Sequence, residues 1–167
     1  MPHKQAVIDQ LDEVTEVAGA LDAVNCIRVR GGRLIGDNTD GAGFLGGLKA
    51  DFGFEADGRR CVVLGAGGAA RAVVLALAGA GASRVVVVNR TEVTAQRAVT
   101  LAGPVGRVGS FDDIVDADLV VNATPIGMAG AGGNADDVPL PVELLHDGLV
   151  VAELIYHPAR TRLIDEA

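Results

Sequence analysis

The sequence predicts an α/β fold: a doubly wound, mostly parallel sheet preceded by part of a smaller α/β unit. Three observations predict it. Between residues 60 and 154, short apolar runs alternate with helix-patterned segments, the arrangement that right-handed βαβ crossovers produce. These runs are apolar at nearly every position, as strands buried on both faces of a parallel sheet must be. The first run also ends in a glycine cluster that opens a helix.

Taken in order, residues 6–17 predict a helix, because Val7, Leu11, Val14 and Ala18 recur at helical spacing. Residues 23–29 read as a strand, Gly31-Gly32 as a turn and Arg33-Leu34-Ile35 as the returning hairpin arm. Asn38-Thr39-Asp40 offers caps for a helix through Phe44, Leu45 and Leu48. These elements are too few to enclose a core. Residues 1–52 therefore read as a partial domain with a crossover helix, and residues 53–167 as the domain of the main sheet. In the latter, residues 60–64, 85–88, 105–108, 119–122 and 149–154 predict strands. Residues 69–78, 92–101 and 111–115 predict helices. The glycine-rich loop over 124–137 follows the carboxyl end of a strand, where such sheets bind ligands.

Composition narrows the function. The chain has 167 residues, of which 49% are apolar, enough for a real core. Its 22 acidic and 14 basic residues give a net charge of -8, and no stretch supplies the basic patch that nucleic acid requires. No apolar run reaches the roughly 18 residues of a membrane span, and the first residues do not resemble a signal peptide, so a cytoplasmic protein is expected. Cys26 and Cys61 lie in apolar runs without a CxxC pattern and read as reduced core thiols. His3, His146 and His157 have no metal-ligand spacing, and no metal is expected.

The glycine cluster carries the clearest chemistry. Gly65, Gly67 and Ala70 fit G-x-G-x-x-G/A between a buried strand and an apolar helix, the Rossmann-like context for a dinucleotide. Gly65 allows the tight turn, Gly67 lets the backbone approach a pyrophosphate, and Ala70 keeps the helix close to the sheet. Ala66, Gly68 and Ala69 complete a cradle whose unpaired N–H groups suit an anion. The second strand ends in Asn89-Arg90-Thr91 without a carboxylate. Asn89 can bond ribose, and Arg90 can pair with a 2′-phosphate, so NADP is expected over NAD.

Spacing alone does not pair Lys4 with the carboxylates of the 36–41 stretch. A resemblance does. Pro2-His3-Lys4, Asp22-Ala23-Val24-Asn25, Asn38-Thr39-Asp40-Gly41-Ala42-Gly43-Phe44, the 63–72 glycine segment, Asn89-Arg90-Thr91, Asn122-Ala123-Thr124-Pro125-Ile126-Gly127-Met128 and Leu154-Ile155-Tyr156-His157-Pro158 occur in order. Together they resemble the shikimate dehydrogenase family over nearly the whole chain. That resemblance implies reversible NADPH-dependent reduction of 3-dehydroshikimate to shikimate, in the route to chorismate and the aromatic amino acids. It implies Lys4 and Asp40 as the catalytic pair, Asn25 on a ring hydroxyl, Tyr156 beside the substrate, and Thr124 and Met128 near the nicotinamide. A lysine ammonium can give the substrate oxygen its proton, and a neighbouring carboxylate can orient it.

The chain also departs from the family pattern. The family carries a stretch before the Pro-His-Lys motif, with serines that hold the substrate carboxylate, and a later glutamine and helix. Neither is in this sequence, so the chain alone is expected to bind cofactor with poor or absent turnover of substrate. Thr94 stands where the family often has arginine, which leaves room for NAD and for quinate as substrate. Glu153 stands where aspartate is usual, and His157 where asparagine is usual. A homodimer is a further expectation, and a non-catalytic NADP-binding protein the alternative.

Overall fold

The computed structural model describes residues 3–130 and 134–167. Met1, Pro2 and residues 131–133 of the glycine-rich loop lie outside the described residues. The first unit opens with α1 (His3–Ala6), β1 (Glu13–Val14) and α2 (Glu16–Leu21). It continues through the β2 (Cys26–Arg30) and β3 (Arg33–Asp37) hairpin. The sheet order is β1-β3-β2, with β1 parallel and β2 antiparallel to β3. Gly31 and Gly32 have φ of 58° and 78°, the left-handed pair that a two-residue hairpin turn requires.

The single helix expected over 6–17 does not form. Pairing with β3 outweighs the helical spacing. Asp12 N donates to the Leu34 carbonyl (3.0 Å) and Thr15 N to the Gly36 carbonyl (2.9 Å). The Leu34 amide donates to the Asp12 carboxylate at 2.7 Å. Thr15 then starts α2, its hydroxyl accepting from Ala18 N. Leu11 still reaches the interior, because Gly36 has no side chain to meet it.

Helix α3 (Asp40–Phe52) crosses to the second unit and stops at Gly53, whose φ of 63° makes the left-handed cap. There β4 (Arg60–Leu64), α4 (Gly68–Gly79), β5 (Arg84–Val88), α5 (Glu92–Val99), β6 (Gly106–Val108), β7 (Leu119–Asn122), β8 (Val150–Glu153) and α6 (Arg162–Glu166) follow. The five strands are all parallel in the order β6-β5-β4-β7-β8. Side-chain alternation splits the core. Cys61, Val63, Val85, Val87, Leu119 and Val121 pack under α3, α4 and α5. Val62, Leu64, Val86 and Val120 face Ile114, Leu140 and Leu163 on the other side. Burial pushes the Cys61 thiol up to about 12, which keeps it neutral and unreactive.

The chain leaves β4 toward β5 on one side, and β7 joins β4 on the other. The carboxyl ends of β4 and β7 are therefore the switch point at which open α/β sheets bind ligands. At the opposite end of the sheet, the Arg60 amide donates to Asp118 at 2.8 Å. That bond, together with the Arg60 and Arg59 charges, holds the Asp118 carboxyl below the usual carboxylate range. A depressed folded-state pKa stabilises the fold above the unfolded value, and the contribution is lost as pH falls through the folded value. Asp118→Asn should cost about 1 kcal/mol near neutral pH, reduced by partial exposure. The difference should vanish in strong acid. Urea unfolding of both proteins at the two pH values checks this.

Candidate active site

Lys4 lies on the short α1, whose backbone is tied to the second loop of the unit by Val24 N donating to the Lys4 carbonyl at 2.8 Å. Asp40 opens α3, where the helix dipole favours a carboxylate. Lys4 Nζ donates to Asp40 Oδ2 at 2.7 Å, and both side chains are about one-third exposed (30% and 36%). The other carboxylate oxygen, Oδ1, accepts from Asn25 Nδ2 at 2.5 Å. Asn25 Oδ1 in turn accepts from Thr39 N (2.9 Å) and Thr39 Oγ1 (3.2 Å). Lys4, Asn25 and Asp40 are thus brought together as one hydrogen-bonded group.

Asn38 holds this group in place. It is buried, donates from Nδ2 to the Ala23 carbonyl at 3.0 Å, and accepts at Oδ1 from Asp40 N at 3.1 Å. The sequence suggested Asn38, Thr39 and Asp40 as helix caps. Asn38 does cap the amide of Asp40, but its second bond clamps the 22–25 loop to the start of α3. The three-residue polar run at a strand-to-helix junction was the available signal, and its partner 15 residues upstream was not.

The glycine turn stands beside this group. Gly65 has φ of 101°, and a Cβ there would lie 3.0 Å from the Ala123 carbonyl oxygen and 3.2 Å from Thr124 Cγ2. Side chains at Gly67 and Gly68 would meet nothing within 4 Å, so the turn has open space before it. Ala66 is half-buried, whereas Gly67, Gly68 and Ala69 are exposed at the start of α4. The N–H groups of that first turn have no intrahelical partner. A cavity of about 430 Å³ joins the two parts, lined among others by Lys4, Asn38, Asp40, Gly68, Ala69 and Arg71. Arg71, one turn into α4, was not singled out by the sequence reading.

The remaining expected positions fall around the sheet's carboxyl end. Thr124 is half-buried beside Gly65, and Met128 closes a turn through its amide to the Pro125 carbonyl at 3.0 Å. Asn89, at the tip of β5, donates to the Thr91 carbonyl (2.9 Å) and Thr94 Oγ1 (2.7 Å). Asn89 is half-buried, and Arg90 beside it is exposed. Tyr156 is 83% exposed beyond β8 and does not line the cavity that holds Lys4 and Asp40. Among the described residues no three His, Cys, Asp or Glu side chains are grouped to hold a metal ion, and no helix is long and apolar enough to cross a membrane.

Comparison with known proteins follows the same lines. A family model described as shikimate / quinate 5-dehydrogenase matches residues 48–126. An NADP(+) shikimate dehydrogenase of Methanopyrus kandleri is 43% identical over 178 residues, covering 100% of this chain and 60% of that protein. The Thermus thermophilus shikimate 5-dehydrogenase, solved with NADP(H) and shikimate, superposes with a TM-score of 0.82 at 40% identity, covering 100% of this chain and 60% of that one. A 5-ketofructose reductase from Gluconobacter superposes with a TM-score of 0.87 at 37% identity, covering 100% of this chain and 61% of that one. The chain spans about 60% of the length of the relatives it matches. With its hydrogen-bonded Lys4–Asp40 pair beside a G-x-G-x-x-A turn, the chain is thus similar along its entire length to proteins named shikimate dehydrogenase.

Proposed function

We propose that this chain carries the cofactor-binding and proton-transferring parts of an NADP-dependent shikimate dehydrogenase, which interconverts 3-dehydroshikimate and shikimate. The observation that carries the reading is the opening of the Lys4–Asp40 pair onto the same cleft as the glycine turn.

The residues present suit NADP. The space before Gly67 and Gly68 would admit a pyrophosphate to the exposed amides of Gly67, Gly68 and Ala69. The Asn89 carbonyl oxygen can accept from a ribose hydroxyl, and Arg90 can pair with a 2′-phosphate. When bound, the nicotinamide supplies or takes up the hydride. Lys4 Nζ holds the proton that the substrate oxygen gains on reduction. Asp40 fixes Nζ in one direction, and the Asn38 clamp fixes Asp40. Asn25 Nδ2 gives one N–H to Asp40, and its second is free for a ring hydroxyl. Holding these groups at reacting distance is a main contribution such a site can make.

The test is absorbance at 340 nm with shikimate and NADP⁺, beside a titration of NADP⁺ binding. NADPH formation that depends on shikimate supports the reading. Absence of NADP⁺ binding counts against it, and binding without any shikimate-dependent turnover selects the non-catalytic NADP-binding alternative. A second reading, reduction of another polyhydroxy ketone, is favoured by the likeness to a 5-ketofructose reductase. NADPH consumption with 5-ketofructose and not with 3-dehydroshikimate would select it.

A further inference from the structure

The carboxyl ends of β7 and β8 carry a polar cluster that the site described above does not use. Asn122 and Glu153 are register partners on the two strands, and Asn122 is fully buried. Glu153 Oε1 accepts from Asn122 Nδ2 (2.9 Å) and Ile155 N (3.2 Å). Its Oε2 accepts from Asn122 Nδ2 (3.2 Å) and from the buried Thr161 hydroxyl (3.0 Å). An ionised carboxylate only accepts, so it turns the NH₂ of Asn122 toward itself. The Asn122 carbonyl oxygen must then face the other way. There it accepts from Thr124 N at 3.0 Å and Thr124 Oγ1 at 2.7 Å. The Thr124 hydroxyl, its proton already given, accepts from Ile126 N at 3.2 Å. The Thr124 methyl lies against Gly65.

We propose that Glu153 is a positioning residue: through the Asn122 amide it locks the 124–128 loop against the glycine turn and so sets the nicotinamide side of the cofactor site. This rests on reading the cleft as an NADP site. Supporting groups of this kind act by removing freedom from the residue they hold, and a buried network fails as a unit when one acceptor is lost.

Glu153→Gln replaces one acceptor oxygen by a donor. Amide hydrogen exchange should accelerate at Thr124 and Ile126 by about tenfold or more, the equivalent of one hydrogen bond. Val63 and Val86 in the sheet should be unchanged. NADP⁺ affinity should fall by about fivefold or more, while adenosine 2′,5′-bisphosphate, which lacks the nicotinamide half, stays within about twofold. Thr161→Val should act in the same direction with a smaller effect, and serves where the glutamine variant does not fold. Unchanged exchange at Thr124 and Ile126 would overturn the proposal. So would equal acceleration throughout the sheet, or equal weakening of both nucleotides. An unmodified chain that binds neither nucleotide would instead remove the NADP reading, and the exchange rates would still decide whether Glu153 holds the loop.

Discussion

Lys4→Arg is expected to lower shikimate-dependent NADPH formation by about 10²-fold or more, with NADP⁺ affinity within about twofold of the unmodified chain. The guanidinium keeps a positive charge that can pair with Asp40, so the ion pair and the fold survive. It does not give up a proton, and its planar fork cannot occupy the place of Nζ, which lies 2.7 Å from Asp40 Oδ2. Lys4→Met removes the charge as well and should be at least as severe. Asp40→Asn should fall between the two and the unmodified chain, since an amide oxygen can still accept from Lys4 but exerts no charge. A Lys4→Arg rate near that of the unmodified chain would show that the ammonium serves only as a counter-charge. Measurement under single-turnover conditions separates the chemical step from cofactor release.

Gly41→Ala is expected to combine a stability loss of about 1–3 kcal/mol with a drop in rate of up to about 10²-fold per folded molecule. A methyl group at Gly41 would lie 2.7 Å from Ala76 Cβ and 2.8 Å from the Ala72 carbonyl oxygen, both on α4. Contacts between carbon atoms settle at about 3.5–4.0 Å, so α3 must move away from α4. Asp40 is the preceding residue and moves with it, away from the turn at the start of α4. Gly43→Ala, two residues further along α3, is the control. A side chain there would meet nothing within 4 Å, and helix propensity makes that change neutral or stabilising by up to about 1 kcal/mol. Urea midpoints and rates for the two variants test the contrast. Equal behaviour of Gly41→Ala and Gly43→Ala would refute the packing argument.

The five-stranded sheet was legible because strands buried on both faces announce themselves locally. Residues 60–64, 85–88 and 119–122 are apolar without a helical gap, and each forms a strand within a residue of its expected bounds. The first unit was less so. Glu13 and Val14 form a two-residue strand only because β3 offers them partners more than 20 residues away, and nothing in their own neighbourhood opposes a helix. The same distance effect governs the site. The glycine turn is contiguous and could be read from residues 65–70 alone. Lys4 and Asp40 are 36 residues apart, and only the family resemblance paired them. Asn38 and Glu153 act through bonds to residues 15 and 31 positions away. A local polar run marked Asn38 as a helix cap but not as a clamp, and no local pattern marks Glu153.

The near-contact of Gly41 with α4 also bears on how proteins of this build diverge. Reaching distance in the cleft is set by two helices packed through a residue without a side chain. Recognition of the molecule to be reduced can then change elsewhere without disturbing that distance. The likeness of a single chain to both shikimate dehydrogenases and a 5-ketofructose reductase is the outcome such a division of tasks allows.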